Sequence, residues 1–291
     1  MPVPSSSLAA LLGGLTDPAF AVLDGAVFDD LSDRLAAFGL EARPLLRDAP
    51  GGAVQREGPW LLALGQDPKR RAALLTIMAE APGRAGVIWA TDAGEVALYA
   101  HLRSLNQVSL PSGERVFFRY ADPNVMNAVL PLLDAGQAAR MLGPASALAF
   151  DSGEAGGAGR VARPDGLPIA PDGDLIVTWD QIEILNERQR DLNIAEYLRE
   201  TCPDEVKALT TSELRQVAHA ARDSAAEVGL RGPGDERRWA YLWLKTGGEL
   251  DQEGVHAFLA DSDHGTTVRE RFDRLWTETL ANLVAQASAV R

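Results

Sequence analysis

The feature that most constrains this chain is a change of period near residue 180. Up to about residue 150, short apolar runs alternate with segments whose apolar residues recur at helical spacing. Beyond residue 180 the helical spacing continues almost without interruption. Alternation of the first kind specifies layers of strands and helices, whereas the second specifies helix packed on helix. Between them, residues 151–174 (DSGEAGGAGRVARPDGLPIAPDGD) are rich in Gly, Pro and Asp and lack apolar periodicity, so they read as a linker or a long exposed loop. The expected organisation is an α/β (α+β) domain with a mixed sheet over residues 1–150. A Gly/Pro-rich linker with a junction strand at Leu175–Trp179 follows over 151–179, and then an all-helical domain over 180–291.

Local signals place the elements. Ala19–Asp24 (AFAVLD), Trp60–Leu64 (WLLAL) and Gly86–Ala90 (GVIWA) are apolar runs of strand length. Asp67-Pro68 and Asp122-Pro123 each pair an N-cap carboxylate with a proline pre-set for the first helical turn. Asp92, with Glu95 three residues on, reads as a capping-box start. Pro111-Ser112-Gly113-Glu114 separates Val108–Leu110 from Val116–Tyr120, which predicts a hairpin whose second strand carries Arg119. In the helical part, Thr210 with Glu213 marks another capping box, and the last helix carries Phe272, Leu275, Trp276, Leu280 and Leu283 on one face.

The formal charge of −13 is unevenly spread. Residues 1–150 hold 12 Arg and Lys against 15 Asp and Glu, a balance of −3, and residues 151–291 carry the remaining −10. Such acidity opposes binding to nucleic acid, whose phosphates require cationic neutralisation, and to anionic membrane surfaces. No apolar run approaches the roughly 20 residues needed to span a bilayer. The opening segment MPVPSSSLAALLGGLTDPAF lacks the pattern of a signal peptide, so cytoplasmic residence is expected. A single cysteine, Cys202, excludes an internal disulfide.

Motifs for catalysis or cofactors are missing from the sequence. Gly157-Ala158-Gly159-Arg160-Val161-Ala162 matches a loose dinucleotide fingerprint, but Pro164, Gly166 and Pro168 forbid the helix that must receive the pyrophosphate. The four histidines never fall at i,i+3 or i,i+4, so no metal site is expected. Asp261-Ser262-Asp263-His264-Gly265 lacks the glycine and terminal glutamate of a calcium loop and reads as a polar turn. No nucleophile elbow occurs, and no His or Arg pair lies close in sequence to Cys202 to lower its pKa, so it reads as a partly buried structural thiol. No catalytic, cofactor-binding or metal-binding residue is assigned. Arg119, on the apolar stretch FFRYA, and Asp122 form the polar pair of interest. Either Arg119 bonds the helix-capping carboxylate and locks the corner, or it reaches outward to a partner. Trp60, Trp89, Trp239, Trp243 and Trp276 are assigned to the cores, with one or two left open as exposed anchors.

Five segments occur in an order and spacing that resembles the adaptor (chaperone) family of bacterial type VI secretion. They are Phe20–Gly25 (FAVLDG), Gly58–Leu64 (GPWLLAL), His101–Leu105 (HLRSL), Phe117–Pro123 (FFRYADP) and Leu142–Pro144 (LGP), and the resemblance covers roughly residues 18–150. The commoner family form has an aromatic pair between the arginine and Asp-Pro, where this chain has Tyr120-Ala121. The motif positions are Gly58, Pro59, Trp60, His101, Arg103, Arg119, Asp122, Pro123, Gly143 and Pro144. The resemblance implies a non-catalytic factor that binds a cognate toxic effector and loads it onto the C-terminal region of a valine–glycine-repeat (VgrG) spike protein. It implies no cofactor, nucleic acid or membrane partner. The alternatives are a hydrolase whose acid and base lie far apart in sequence, and an immunity protein that neutralises a toxin.

Overall fold

Every residue of strand β1 (Ala19–Asp24) is buried, because the strand runs through the middle of a sheet covered on both faces. Its alternate side chains serve different layers: Phe20 and Val22 enter one core, Ala19, Ala21 and Leu23 the other. A continuous apolar run of strand length is what two-sided burial demands. The computed structural model describes residues 8–46, 52–153, 157–170, 173–248, 250 and 253–289. By its contacts the chain divides into two units, Met1–Leu185 and Asn186–Arg291.

In the first unit the described elements are α1 (Leu8–Gly13), β1, α2 (Leu31–Ala37), β2 (Ala42–Pro44), α3 (Gly52–Glu57), β3 (Pro59–Gly65), α4 (Pro68–Met78) and β4 (Gly86–Ala90). They continue with α5 (Gly94–Ser104), β5 (Gln107–Ser109), β6 (Arg115–Phe117), α6 (Pro123–Val129), α7 (Ala135–Leu142), β7 (Ala147–Asp151), β8 (Ala158–Ala162) and β9 (Leu175–Ile176). A six-stranded sheet has the order β2-β3-β1-β4-β7-β8, and all its pairings are antiparallel. One face packs Val87, Trp89, Leu148 and Phe150 against Leu98 and Leu102 of α5, Met126 of α6 and Met141 of α7. The other packs Leu62, Leu64 and Ile88 against Leu12 of α1, Leu35 of α2 and Leu74 of α4. A second sheet, β6-β5-β9, is mixed, with β5 antiparallel to β6 and parallel to β9.

The α/β unit followed by helices is as the sequence reading expected, with four local corrections. Residues 158–162 are no loop: they form β8, with Ala147 opposite Ala162 and Asp151 opposite Ala158. An outermost strand has one neighbour and a half-exposed face, so it needs no apolar alternation to be held. Residues 154–156 and 171–172 of the expected linker lie outside the described residues. The junction strand shortens to Leu175–Ile176 and joins the small sheet. Arg119 lies past the end of β6, which stops at Phe117. Helix α5 begins at Gly94 without a side-chain cap; the hydroxyl of Thr91 instead accepts from the Ala93 N–H (3.1 Å). Both Asp-Pro starts are present, Asp67 accepting from Lys69 and Asp122 from Asn124.

The second unit takes up helix α8 (Trp179–Thr201) from Asn186 onward. It continues with α9 (Pro203–Val206), α10 (Thr211–Glu227), α11 (Pro233–Lys245), α12 (Glu253–Ala260) and α13 (Val268–Ala289). The capping box at α10 is complete: Thr210 and Glu213 each accept the other's backbone N–H. One cluster joins Leu198, Cys202, Leu214 and Ala218, and another joins Trp239, Leu242, Leu259 and Phe272. Trp239 is fully buried and its indole N–H donates to the Ser224 hydroxyl (3.2 Å). Trp243 and Trp276 are half-buried against these clusters. Cys202 is buried, and burial pushes its thiol pKa up, as expected of a structural cysteine. The Asp261 turn is a single 3-10 turn, its carboxylate accepting from the Asp263 N–H. The side chain of Leu283 lies outside the described residues.

Candidate functional site

Strand β1 ends at Asp24, a buried carboxylate that does two things. Its Oδ1 accepts from the Ala26 N–H (3.1 Å), opening a 3-10 turn, and its Oδ2 accepts from Arg119 Nη2 at 2.6 Å. The same Nη2 lies 3.6 Å from Oδ2 of Asp122, whose Oδ1 caps α6. Arg119 therefore ties the end of the central strand to the start of a helix. The Asp24 bond, ahead of the other causes, raises its pKa, so it stays charged throughout the physiological range. The corner-locking reading of Arg119 is the one this geometry describes. It is locked to Asp122 and, more closely, to Asp24, yet half of its side chain remains exposed.

Gly58 and Pro59 meet the same corner. The Gly25 N–H donates to the Gly58 carbonyl (3.1 Å), and Pro59 pairs with Asp24 across β1 and β3. A Cβ on Gly25 would lie 2.0 Å from the Arg56 carbonyl oxygen, so only glycine fits where these two segments touch. Trp60 is half-buried, its indole N–H donating to the Arg56 carbonyl (3.3 Å).

A second group gathers at the end of α7. His101 Nε2 donates to the Met141 carbonyl (3.0 Å), and Gly143, at φ +52°, passes so close that a Cβ would fall 2.2 Å from the imidazole. Burial, outweighing that hydrogen bond, pushes the His101 pKa down to about 4, so the ring is neutral at pH 7. Thr91 donates to the Pro144 carbonyl (2.7 Å) and Arg163 to that of Gly143 (2.7 Å), completing the clamp. Arg103 is half-buried on α5 with its guanidinium 6.0 Å from the Tyr99 ring centre.

Between these groups lies an open cleft. An apolar part of about 260 Å³ is lined by Pro59, Phe117, Phe118 and Ala121, with Asp24 and Arg119 at its wall. A polar part of about 610 Å³ is lined by His101, Arg103, Arg115, Arg140 and Asp174. The two share Leu46, Asn106 and Phe117 in their linings and so lie side by side. Such a surface suits recognition of a side chain or a segment. Among the described residues no group of three His, Cys, Asp or Glu side chains is placed to hold a metal ion.

Residues 19–140 match the family model described as a domain of unknown function, DUF4123. The DUF4123 match runs from β1 to α7, less than half of the chain, and contains the Asp24–Arg119–Asp122 corner and the residues that line the apolar part of the cleft. Comparison with curated proteins and with solved structures gave no match. Gly143 and Pro144 fall just beyond the DUF4123 match yet pack against His101 and Thr91 within it. Sequence reasoning missed Asp24 as the main partner of Arg119 and missed Arg140 altogether. An arginine on the buried face of a helix was the available signal for the second; nothing local pointed to the first. Among the described residues no helix is long and apolar enough to cross a membrane.

Proposed function

We propose that this protein is a non-catalytic adaptor that binds a toxic effector and delivers it to the spike of a type VI secretion system. The observation that carries the reading is convergence: the FAVLDG, GPWLLAL and FFRYADP segments meet at Asp24, Gly58 and Arg119, on the wall of an open cleft. The DUF4123 match covers those segments, and that family is associated with effector adaptors of this secretion system. The polar residues at the corner are spent on each other: the Arg119 charge is met by two carboxylates and His101 is neutral and bonded to a carbonyl. That arrangement ties these polar groups into the fold and holds the wall of the cleft in place.

An adaptor of this kind covers apolar surface on its cargo before the spike assembles, and the half-exposed Arg119 and exposed Phe117 are suitable anchors. The test is co-purification of the folded protein with a candidate effector and a VgrG spike protein from the same genome. A stable complex with the effector at micromolar concentration is expected. Absence of a complex with either partner sinks the reading, and so does turnover of a substrate by the purified protein.

A further inference from the structure

We propose that the cleft beside β6 receives an extended polypeptide segment carrying one carboxylate next to an apolar side chain, the carboxylate seated on Arg140. The inference rests on the adaptor reading and specifies what part of a partner is held.

Arg140, on α7, is 93% buried and among the described residues has no carboxylate within ion-pair distance. Its Nε donates to the Gly173 carbonyl (2.7 Å), and Nη2 to the Ser104 carbonyl (3.1 Å) and hydroxyl (2.9 Å). The remaining nitrogen, Nη1, makes no hydrogen bond among the described residues and is not sealed from solvent, and Arg140 lines the polar part of the cleft. A buried guanidinium fixed by neutral acceptors, with Asp174 attracting it only through space and no carboxylate in contact among the described residues, is a costly arrangement that an incoming anion relieves. The neighbouring Arg115 is already neutralised, its Nε and Nη2 bonding the two oxygens of Asp174 at 2.8 and 3.0 Å. With Arg103 and Arg140 also lining this part of the cleft, a carboxylate entering it meets positive charge that the Asp174–Arg115 pair does not use up. A phosphate, which needs several donors and would meet the Asp174 carboxylate, suits it poorly.

The neighbouring surface favours a peptide over a small acid. In the β5–β6 hairpin, Leu110 bonds Glu114 and Phe118 bonds Asn106. Alternation then directs the backbone groups of Arg115 and Phe117 away from β5, where they have no partner among the described residues. Only another polypeptide reads such an edge. Phe117, 68% exposed, lines both the polar and the apolar parts of the cleft. An apolar side chain beside the carboxylate would cover it.

The test uses the full chain, labelled with nitrogen-15, and ten-residue Gly/Ser peptides bearing one Leu or Phe and one Glu at spacings of one to four. Binding is expected for at least one spacing, shifting the Arg140 Nε–H and the Phe117 amide. Replacing Glu by Lys, or introducing Phe117→Asp or Arg140→Gln, is expected to weaken it at least tenfold. The exposed Phe117→Asp variant keeps the test valid should Arg140→Gln fail to fold. The inference is overturned by no binding at millimolar peptide, by equal binding of the Lys peptide, or by inorganic phosphate shifting the Arg140 signal more than any peptide does. Effector binding separates the two claims. If the effector binds wild type and Phe117→Asp alike, the cleft inference falls and the adaptor reading stands. If the peptides bind but the effector and spike do not, the reverse holds.

Discussion

Arg119 reaches back across ninety-five residues to place Nη2 2.6 Å from a carboxylate oxygen of Asp24. The carboxylate is buried at the end of β1 and the guanidinium is half-exposed. Truncating the exposed partner leaves a buried charge behind, which costs more than the net worth of the bond.

Arg119→Ala is therefore expected to destabilise the first unit by about 1–3 kcal/mol. Asp24→Asn, which loses one of the two acceptor oxygens but leaves no buried charge behind and leaves Arg119 half-exposed beside Asp122, is expected to cost less. Urea unfolding of the two variants measures the order, and an Asp24→Asn loss larger than that of Arg119→Ala would contradict it.

Gly143 and His101 form a second pair whose shapes depend on each other. Gly143→Ala combines left-handed backbone strain with a Cβ inside the imidazole, for an expected loss of about 2–4 kcal/mol. The steric part vanishes when the ring is absent, so His101→Ala/Gly143→Ala should lose less than the sum of the single variants. A double-mutant cycle by thermal unfolding decides this.

Stability should respond to acid through the same histidine. Its folded pKa of about 4 lies below the ordinary 6.5, so the unfolded chain binds the proton more readily. The contribution is fully present above pH 6.5 and is lost as pH falls toward 4, amounting to about 3 kcal/mol across that window. His101→Gln should remove this part of the slope from a plot of unfolding free energy against pH. A titration of the His101 ring by NMR with a midpoint near 6.5 would refute the assignment.

In the helical unit, Thr210→Ala should cost about 1 kcal/mol by removing the side-chain acceptor at the start of α10. Adding Glu213→Ala should cost little more, since each residue of the box supports the other. Chemical denaturation of the three variants checks the non-additivity.

The caps at Asp67, Asp122 and Thr210 were legible because each is a bargain struck within three residues. So was the buried run of β1, where two-sided coverage writes a continuous apolar stretch. The Asp24–Arg119 pair was not, because its partners meet only after β1 and the hairpin have been placed in one unit. Strand β8 was hidden for a different reason. AGRVA is held at the sheet margin by backbone bonds to β7, and backbone bonds leave no trace in side-chain pattern. Arg140 drew no reading because the carbonyls that enclose it come from Gly173 and Ser104, more than thirty residues away on either side.

The position of β7 has a consequence for anyone cutting this protein into pieces. Residues 19–140 are the stretch the family model matches but not a unit of folding, because β7 lies between β4 and β8 and supplies Leu148 and Phe150 to one core and Ala147 and Ala149 to the other. A fragment bounded at Arg140 would strip one flank of β4 and offer its row of free amides and carbonyls to any neighbouring chain, inviting self-association in place of a soluble monomer.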